Sequence, residues 1–190
     1  MSWNEFVFRE LHGLLDQSPV LEGVIAFITK PLGSIPIAAF DSIVIALTFF
    51  VLFLYYDGAP GLLKLSKYTW RKVMVISLTG IIAWSLAVAA KNTFLMPRPY
   101  IMLSDIEPLF RLGVLDSFPS GHAAFFSAVA VAVYHYHRKL GALFVLATVG
   151  IGISRIIAGV HYPVDILGGF VLGGGGAVLM ALLLRNWSRR

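Results

Sequence analysis

The sequence predicts an all-α integral membrane protein, a bundle of about six transmembrane helices with an amphipathic interfacial helix at its N-terminus. Three observations predict it. Hydrophobic residues fill 58% of the 190 positions and charged residues only 13%, about half of the ~25% charged content usual in soluble domains. The apolar residues gather in long runs, giving a mean hydropathy of +0.82. Lys and Arg fall in short clusters between those runs, so the net charge of +5 reads as membrane topology and no nucleic-acid partner is expected. The chain contains no cysteine, which excludes disulfide frameworks, thiolate metal sites and cysteine nucleophiles.

In chain order, Met1 to Leu15 lacks a basic n-region and a convincing cleavage site, so it does not read as a signal peptide. Its Trp3, Phe6, Val7, Leu11, Leu14 and Leu15 recur at helical spacing and suit a helix lying on the membrane surface. Val20 to Leu32 carries Glu22 and Lys30 and has a length shared by interfacial and re-entrant segments. Five runs then approach or exceed the roughly 17–25 helical residues that a hydrocarbon core requires: Ser34 to Tyr56, Val73 to Ala90, Ser120 to Tyr136, Leu140 to Ile157, and Pro163 to Leu184. Gly169 and Gly173 have the small-xxx-small spacing of close helix contacts. Asp41, inside the first of these runs, reads as a structural carboxylate with a partner. Without repeats or a dividing linker, residues 1–190 form a single membrane-embedded domain.

Orientation follows from the basic residues, which favour the cytoplasmic loops. Lys64, Lys67, Arg71, Lys72, Arg138, Lys139, Arg185, Arg189 and Arg190 fall on one side of the predicted topology. Lys91, Arg98, Arg111 and Arg155 fall on the other, which therefore faces outward. Six spans put both termini inside, and five leave the N-terminus outside.

Three clusters lie on that outward face. Lys91 and Arg98 are two cations near the membrane boundary, where a bound anion would relieve their cost, although a snorkelling pair at a helix end has the same pattern. Pro119-Ser120-Gly121-His122 opens a helix: Ser120 suits an N-cap, and Gly121 lets an anion approach free amides at the positive end of the helix dipole. His122 adds a proton donor, or else marks the interface. In the third cluster, Pro163 fits the first position of a helix, so Asp165 in its first turn can accept from one imidazole nitrogen of His161. This leaves the other nitrogen of His161 free to act as a nucleophile or base; a structural His–Asp helix cap has the same pattern but does not explain the neighbouring Arg155, whose planar fork suits a phosphoryl group. The combination suits binding, attack and leaving-group protonation at phosphorus. It calls for no metal or cofactor, because Lys and Arg supply the neutralising charge. Asp105, Glu107 and Asp116 read as solvated loop carboxylates.

The order K-x6-R-P, P-S-G-H, S-R-x5-H-x3-D resembles the signature of the type 2 phosphatidic acid phosphatase, or lipid phosphate phosphatase, superfamily. Lys91, Arg98, Pro99, Pro119, Ser120, Gly121, His122, Ser154, Arg155, His161 and Asp165 match it without a substitution, and the motif-bearing core spans residues 91–165. The resemblance implies a six-helix core and a phosphohistidine intermediate. It implies His161 as nucleophile, Asp165 as its orienter and His122 as acid toward the leaving group. Lys91, Arg98, Ser120, Gly121 and Arg155 would hold the phosphoryl oxygens.

The expected activity is removal of the terminal phosphate from a membrane lipid in a bacterial cytoplasmic membrane, at a site facing the periplasm or the cell exterior. Undecaprenyl diphosphate ranks slightly ahead of lipid A 1-phosphate, then phosphatidylglycerophosphate and phosphatidic acid, because so small a chain has little with which to recognise an elaborate headgroup. A phosphotransferase of the same family and an anion transporter are the alternatives. The transporter would need ionisable residues continuing along several spans, and these spans carry mainly Asp41.

Overall fold

A computed structural model of the protein describes residues 1–29 and 67–187. The run Ser34 to Tyr56, with Asp41, lies outside them. The N-terminal part comprises α1 (Trp3–His12), α2 (Leu14–Gln17) and α3 (Pro19–Thr29). The bundle comprises α4 (Lys67–Phe94), the short α5 (Pro99–Met102), α6 (Gly121–Tyr136), α7 (Arg138–Ile157) and α8 (Pro163–Phe170). The last of these continues through a π-helical turn, Val171–Gly175, into α9 (Gly176–Trp187). No strand occurs among the described residues.

Helix α6 is the axis of the bundle, packed against α4, α7, α8 and α9. Its small residues explain the position: Gly121, Ala123, Ala124, Ala128 and Ala130 are buried and let neighbouring backbones approach. At 16 residues it is about 24 Å long, shorter than a full span, and only the three longer helical stretches meet spanning length and hydropathy among the described residues: Arg71–Met102, Arg138–Ile157 and Pro163–Leu182. The Gly169 and Gly173 contact predicted from spacing is present. A Cβ on Gly173 would lie 1.9 Å from the Ala124 carbonyl oxygen, and one on Gly169 would lie 2.6 Å from that of Ser120. Phe125, Phe126, Val129 and Val133 of α6 form the main apolar core with Ile76 of α4.

The outward faces are also apolar. Leu78, Ile82 and Leu86 on α4, Leu143, Leu146 and Val149 on α7, and Val171, Leu179 and Leu182 toward the C-terminus are exposed. Water would leave so extensive an apolar surface unsolvated, whereas lipid tails suit it.

The three motif clusters occupy one end of this bundle. The end of α4 meets the start of α6 through the loop at Asp116, and Ser120 N–H donates to the Asp165 carbonyl at 2.9 Å. The opposite end carries the turn between α6 and α7, where the Lys72 ammonium lies 5.6 Å from the centre of the Tyr136 ring. The basic residues Lys72, Arg138 and Lys139 therefore share the end away from the motifs.

Helix α1 packs at the motif end, against α7 and α8. Its stripe divides between two environments. Leu11, Leu14 and Leu15 face the cluster around Ile157 and Val160, while Trp3 and Phe6 are exposed. Phe8, at the edge of the stripe, is fully buried against Tyr162. Arg9 pairs with Asp105 at 2.5 Å, and Asn4 Oδ1 accepts from the Val164 N–H at the start of α8 at 3.0 Å. Ile25 of α3 joins Ile157, Ala158 and Val160, so this short helix also contacts the motif end.

Candidate active site

Helix α4 ends three residues after Lys91, with Leu95 in the left-handed region at φ 48°. A side chain there costs roughly 1–2 kcal/mol, and the turn leads the chain back so that Arg98 caps α5, with Pro99 in its first turn. Lys91 and Arg98 converge on Asp116. The Lys91 ammonium donates to the Asp116 carbonyl oxygen. Arg98, only 2% exposed, donates from Nε and Nη2 to the two carboxylate oxygens of Asp116 at 2.8 and 3.0 Å, and from Nη2 to its carbonyl at 3.2 Å. Burial raises the Asp116 carboxyl, but Arg98 and Lys91 overcome it and hold the group below its ordinary range.

The sequence-predicted cap is present at α6: Ser120 Oγ accepts from the Ala123 N–H at 3.5 Å, and Ser120 is fully buried. Gly121 follows at the first helical position and His122 at the second. The Arg155 guanidinium reaches the His122 ring, with Nη2 2.9 Å from Nδ1 and in contact with Nε2 as well. It also faces Phe110, whose ring centre lies 5.6 Å from Cζ, a cation–π arrangement.

His161 lies in the link between α7 and α8 and is 3% exposed. Its Nδ1 is 3.4 Å from Asp165 Oδ2, and its Nε2 is 3.4 Å from Arg98 Nη1. A proton on Nδ1 satisfies both contacts, leaving the Nε2 lone pair toward Arg98. Burial, reinforced by Arg98, Lys91, Arg155 and His122, holds the imidazole well below its ordinary value of 6.5. It is therefore neutral at pH 7, as a nucleophile or base must be.

All eight residues singled out from the sequence thus lie at one end of the bundle. His161 touches Asp165 and Arg98, His122 touches Arg155, Lys91 and Arg98 meet at Asp116, and Ser120 and Gly121 open the helix beside them.

Two residues outside the motifs take part as well. Asp116 keeps 41% exposure of its side chain but is more than a solvated loop carboxylate: its carboxylate takes Arg98, and its carbonyl takes Arg98 and Lys91. Ser117, fully buried, donates from Oγ to Asp165 Oδ2 at 2.5 Å, and the Tyr162 N–H donates to the same oxygen at 2.8 Å. These bonds are shorter than the 3.4 Å contact with His161, so Ser117 and Tyr162 fix the carboxylate that faces the imidazole. Their sequence signal is proximity, since Asp116 and Ser117 immediately precede the Phe118-Pro119-Ser120 turn. Removing the Ser117 hydroxyl should leave Asp165 underbonded and free to turn. Ser117→Ala is expected to lower kcat about tenfold, the scale of a lost charge-assisted hydrogen bond, in a phosphate-release assay; an unchanged kcat would show that Tyr162 alone suffices.

Comparison with known proteins gives a consistent picture. The family described as PAP2 superfamily matches residues 68–189. The bacitracin transport permease protein BcrC of Bacillus licheniformis is 31% identical over 136 residues, covering 70% of this chain and 65% of that protein. The undecaprenyl-diphosphatase BcrC of Bacillus subtilis is 28% identical over 185 residues, covering 97% of this chain and 84% of that protein. A lipid A 1-phosphatase of Rhizobium etli is 29% identical over 147 residues, covering 68% of this chain and 61% of that protein. The crystal structure of Aquifex aeolicus LpxE superposes with a TM-score of 0.69 at 27% identity, covering 94% of each chain. Eleven motif positions, their assembly at one end of a helical bundle, and a family match over most of the chain agree: this protein belongs to the PAP2 superfamily.

Proposed function

We propose that the protein is a phosphate-ester hydrolase that removes the terminal phosphate of a membrane lipid phosphate or diphosphate through a phosphohistidine on His161. The observation that carries this reading is the setting of His161, a buried, neutral imidazole with a carboxylate at one ring nitrogen and an arginine N–H at the other. Such a ring is oriented for attack, and a phosphoryl group arriving at Nε2 meets Arg98 at once.

In the first step the Nε2 lone pair attacks phosphorus, forming the P–N bond as the bond from phosphorus to the leaving oxygen breaks. His122 gives its proton to that oxygen. Water then attacks the phosphohistidine and passes a proton to His122, and the P–N electron pair returns to His161 as phosphate departs. Lys91, Arg98 and Arg155 neutralise the developing charge, while the Gly121 N–H at the start of α6 and the Ser120 hydroxyl donate to the phosphoryl oxygens. Asp165 holds the Nδ1 proton throughout.

Undecaprenyl diphosphate and lipid A 1-phosphate rank ahead of phosphatidylglycerophosphate and phosphatidic acid. Their support is the outward siting expected from the basic residues and the likeness to an undecaprenyl-diphosphatase and a lipid A 1-phosphatase. A panel of these four lipids offered to purified protein in detergent tests both class and rank by phosphate release. Comparable or better kcat/KM for water-soluble phosphate esters would remove the lipid assignment.

The proposed setting is a bacterial cytoplasmic membrane with the motif end facing the periplasm or exterior. The contacts of α1 with α7 and α8 support an N-terminus on that same face, hence an odd number of crossings, five rather than six, with Trp3 and Phe6 dipping into the interface. Single cysteines at Ser2 and Leu103 should then label from outside in intact cells, and one at Leu65 from inside. Labelling of Ser2 and Leu103 from opposite sides would restore the six-span topology.

A further inference from the structure

The five N–H groups of Arg98 can be followed individually. Nε–H and one Nη2–H engage the Asp116 carboxylate, the other Nη2–H the Asp116 carbonyl, and one Nη1–H the Val160 carbonyl at 2.8 Å. Among the described residues only the second Nη1–H remains, and it points toward His161 Nε2, 3.4 Å away. A guanidinium held on four donors cannot clamp a phosphoryl group with two parallel bonds. It offers one bond, at the atom that attacks.

The loop that carries Asp116 is built for this task. The Tyr100 hydroxyl lies 3.0 and 2.9 Å from the carbonyl oxygens of Leu112 and Gly113 and accepts from the Leu112 N–H, while Ser117 N–H donates to the Met96 carbonyl and Arg98 N–H to that of Val114. Gly113 leaves the space that the carboxylate fills. A Cβ there would lie 2.7 Å from Asp116 Oδ1, 2.8 Å from Cγ and 2.9 Å from Oδ2.

We infer that Asp116, seated against Gly113, is a positioning residue that turns a single Arg98 N–H onto the nucleophilic nitrogen of His161 and, by its charge, keeps the product phosphate from binding too tightly. The inference rests on the phosphoryl-transfer reading. Its electrostatic part follows from the count of charges: Lys91, Arg98 and Arg155 face a multiply charged phosphate, and the Asp116 carboxylate opposes that attraction at short range.

The test measures kcat on whichever of the four lipids is hydrolysed fastest, together with inhibition by inorganic phosphate. Asp116→Asn keeps the backbone carbonyl that Lys91 and Arg98 use, and it should lower kcat about tenfold or more while tightening phosphate inhibition severalfold. A residue that served only to hold the loop would weaken phosphate binding along with turnover. Gly113→Ala should reproduce the loss in kcat by displacing the carboxylate, and the double variant should lose little beyond Asp116→Asn. Unchanged kcat and unchanged phosphate inhibition in both single variants, or weaker inhibition in Asp116→Asn, would overturn the role. If Asp116→Asn does not fold, as judged by thermal unfolding in the same detergent, Gly113→Ala decides on kcat alone. His161→Ala separates the two levels: full activity there defeats the phosphoryl-transfer reading, whereas an inactive His161→Ala beside an unaltered Asp116→Asn defeats only the inference about Asp116.

Discussion

His161→Ala is expected to reduce phosphate release by at least about 10³-fold, with the protein still folded and still binding vanadate or phosphate through its cations. The size follows from the chemistry, because water must then replace an oriented nitrogen. Acidity gives a second readout. His161 is held neutral in the folded protein, well below 6.5, and an unfolded chain takes up that proton near 6.5. The unfolded state therefore binds more protons between 6.5 and the depressed folded value, so this group's contribution to stability falls as pH drops through that window and is intact above it. The thermal stability of the wild type should decline on acidification from pH 7 to pH 5 more steeply than that of His161→Ala. Equal declines would mean that His161 titrates normally, and near-normal turnover by His161→Ala would dismiss it as the nucleophile.

The parts of this protein legible in its sequence are those imposed by the solvent and by local helix chemistry. A hydrocarbon environment requires long apolar runs, and Val73 to Ala90, Leu140 to Ile157 and Pro163 to Leu184 each fall within or largely within a long helix. Helix starts were equally readable, because Ser120 and Pro163 act within their own turns. The π-helical turn at Val171–Gly175 was not readable, since four consecutive glycines, Gly173 to Gly176, relax several helical geometries alike. The inward position of Phe8 depends on Tyr162, more than 150 residues away, and periodicity reports only that a stripe exists, not which edge meets protein. Asp116 was misread for a similar reason. In sequence it is one of three carboxylates in a largely apolar loop, and its meaning comes from the turn at Leu95 to Pro99 that returns Arg98 beside it. The Arg98 donors also change how a motif should be understood: a phosphate-binding arginine inferred from type and spacing spends four of its five N–H groups on the protein itself.

The effect of losing His122 should depend on what departs. A proton delivered to the leaving oxygen matters most when that oxygen would otherwise leave as an alkoxide, and general acid catalysis of this kind contributes roughly 10²–10⁴-fold. His122→Ala should therefore cost about that much on phosphatidic acid, whose leaving group is an alcohol. The loss in the rate of the first step should be smaller on undecaprenyl diphosphate, whose leaving group is already a phosphate, and about tenfold or less on p-nitrophenyl phosphate, whose phenolate needs little help. The same histidine accepts the proton of the attacking water in the second step, so with good leaving groups the phosphohistidine should accumulate, giving a burst of p-nitrophenol comparable to the enzyme concentration. The structure makes a rival account specific, because the Arg155 guanidinium contacts the His122 ring. If His122 served only to hold Arg155 against the phosphoryl group, its removal would weaken charge neutralisation for every substrate alike. Phosphatidic acid, undecaprenyl diphosphate and p-nitrophenyl phosphate would then lose rate by one common factor, with no burst. Rapid-mixing measurement of p-nitrophenol, with steady-state kcat on the two lipids, separates these outcomes, and a uniform loss would reassign His122 from proton donor to support for Arg155.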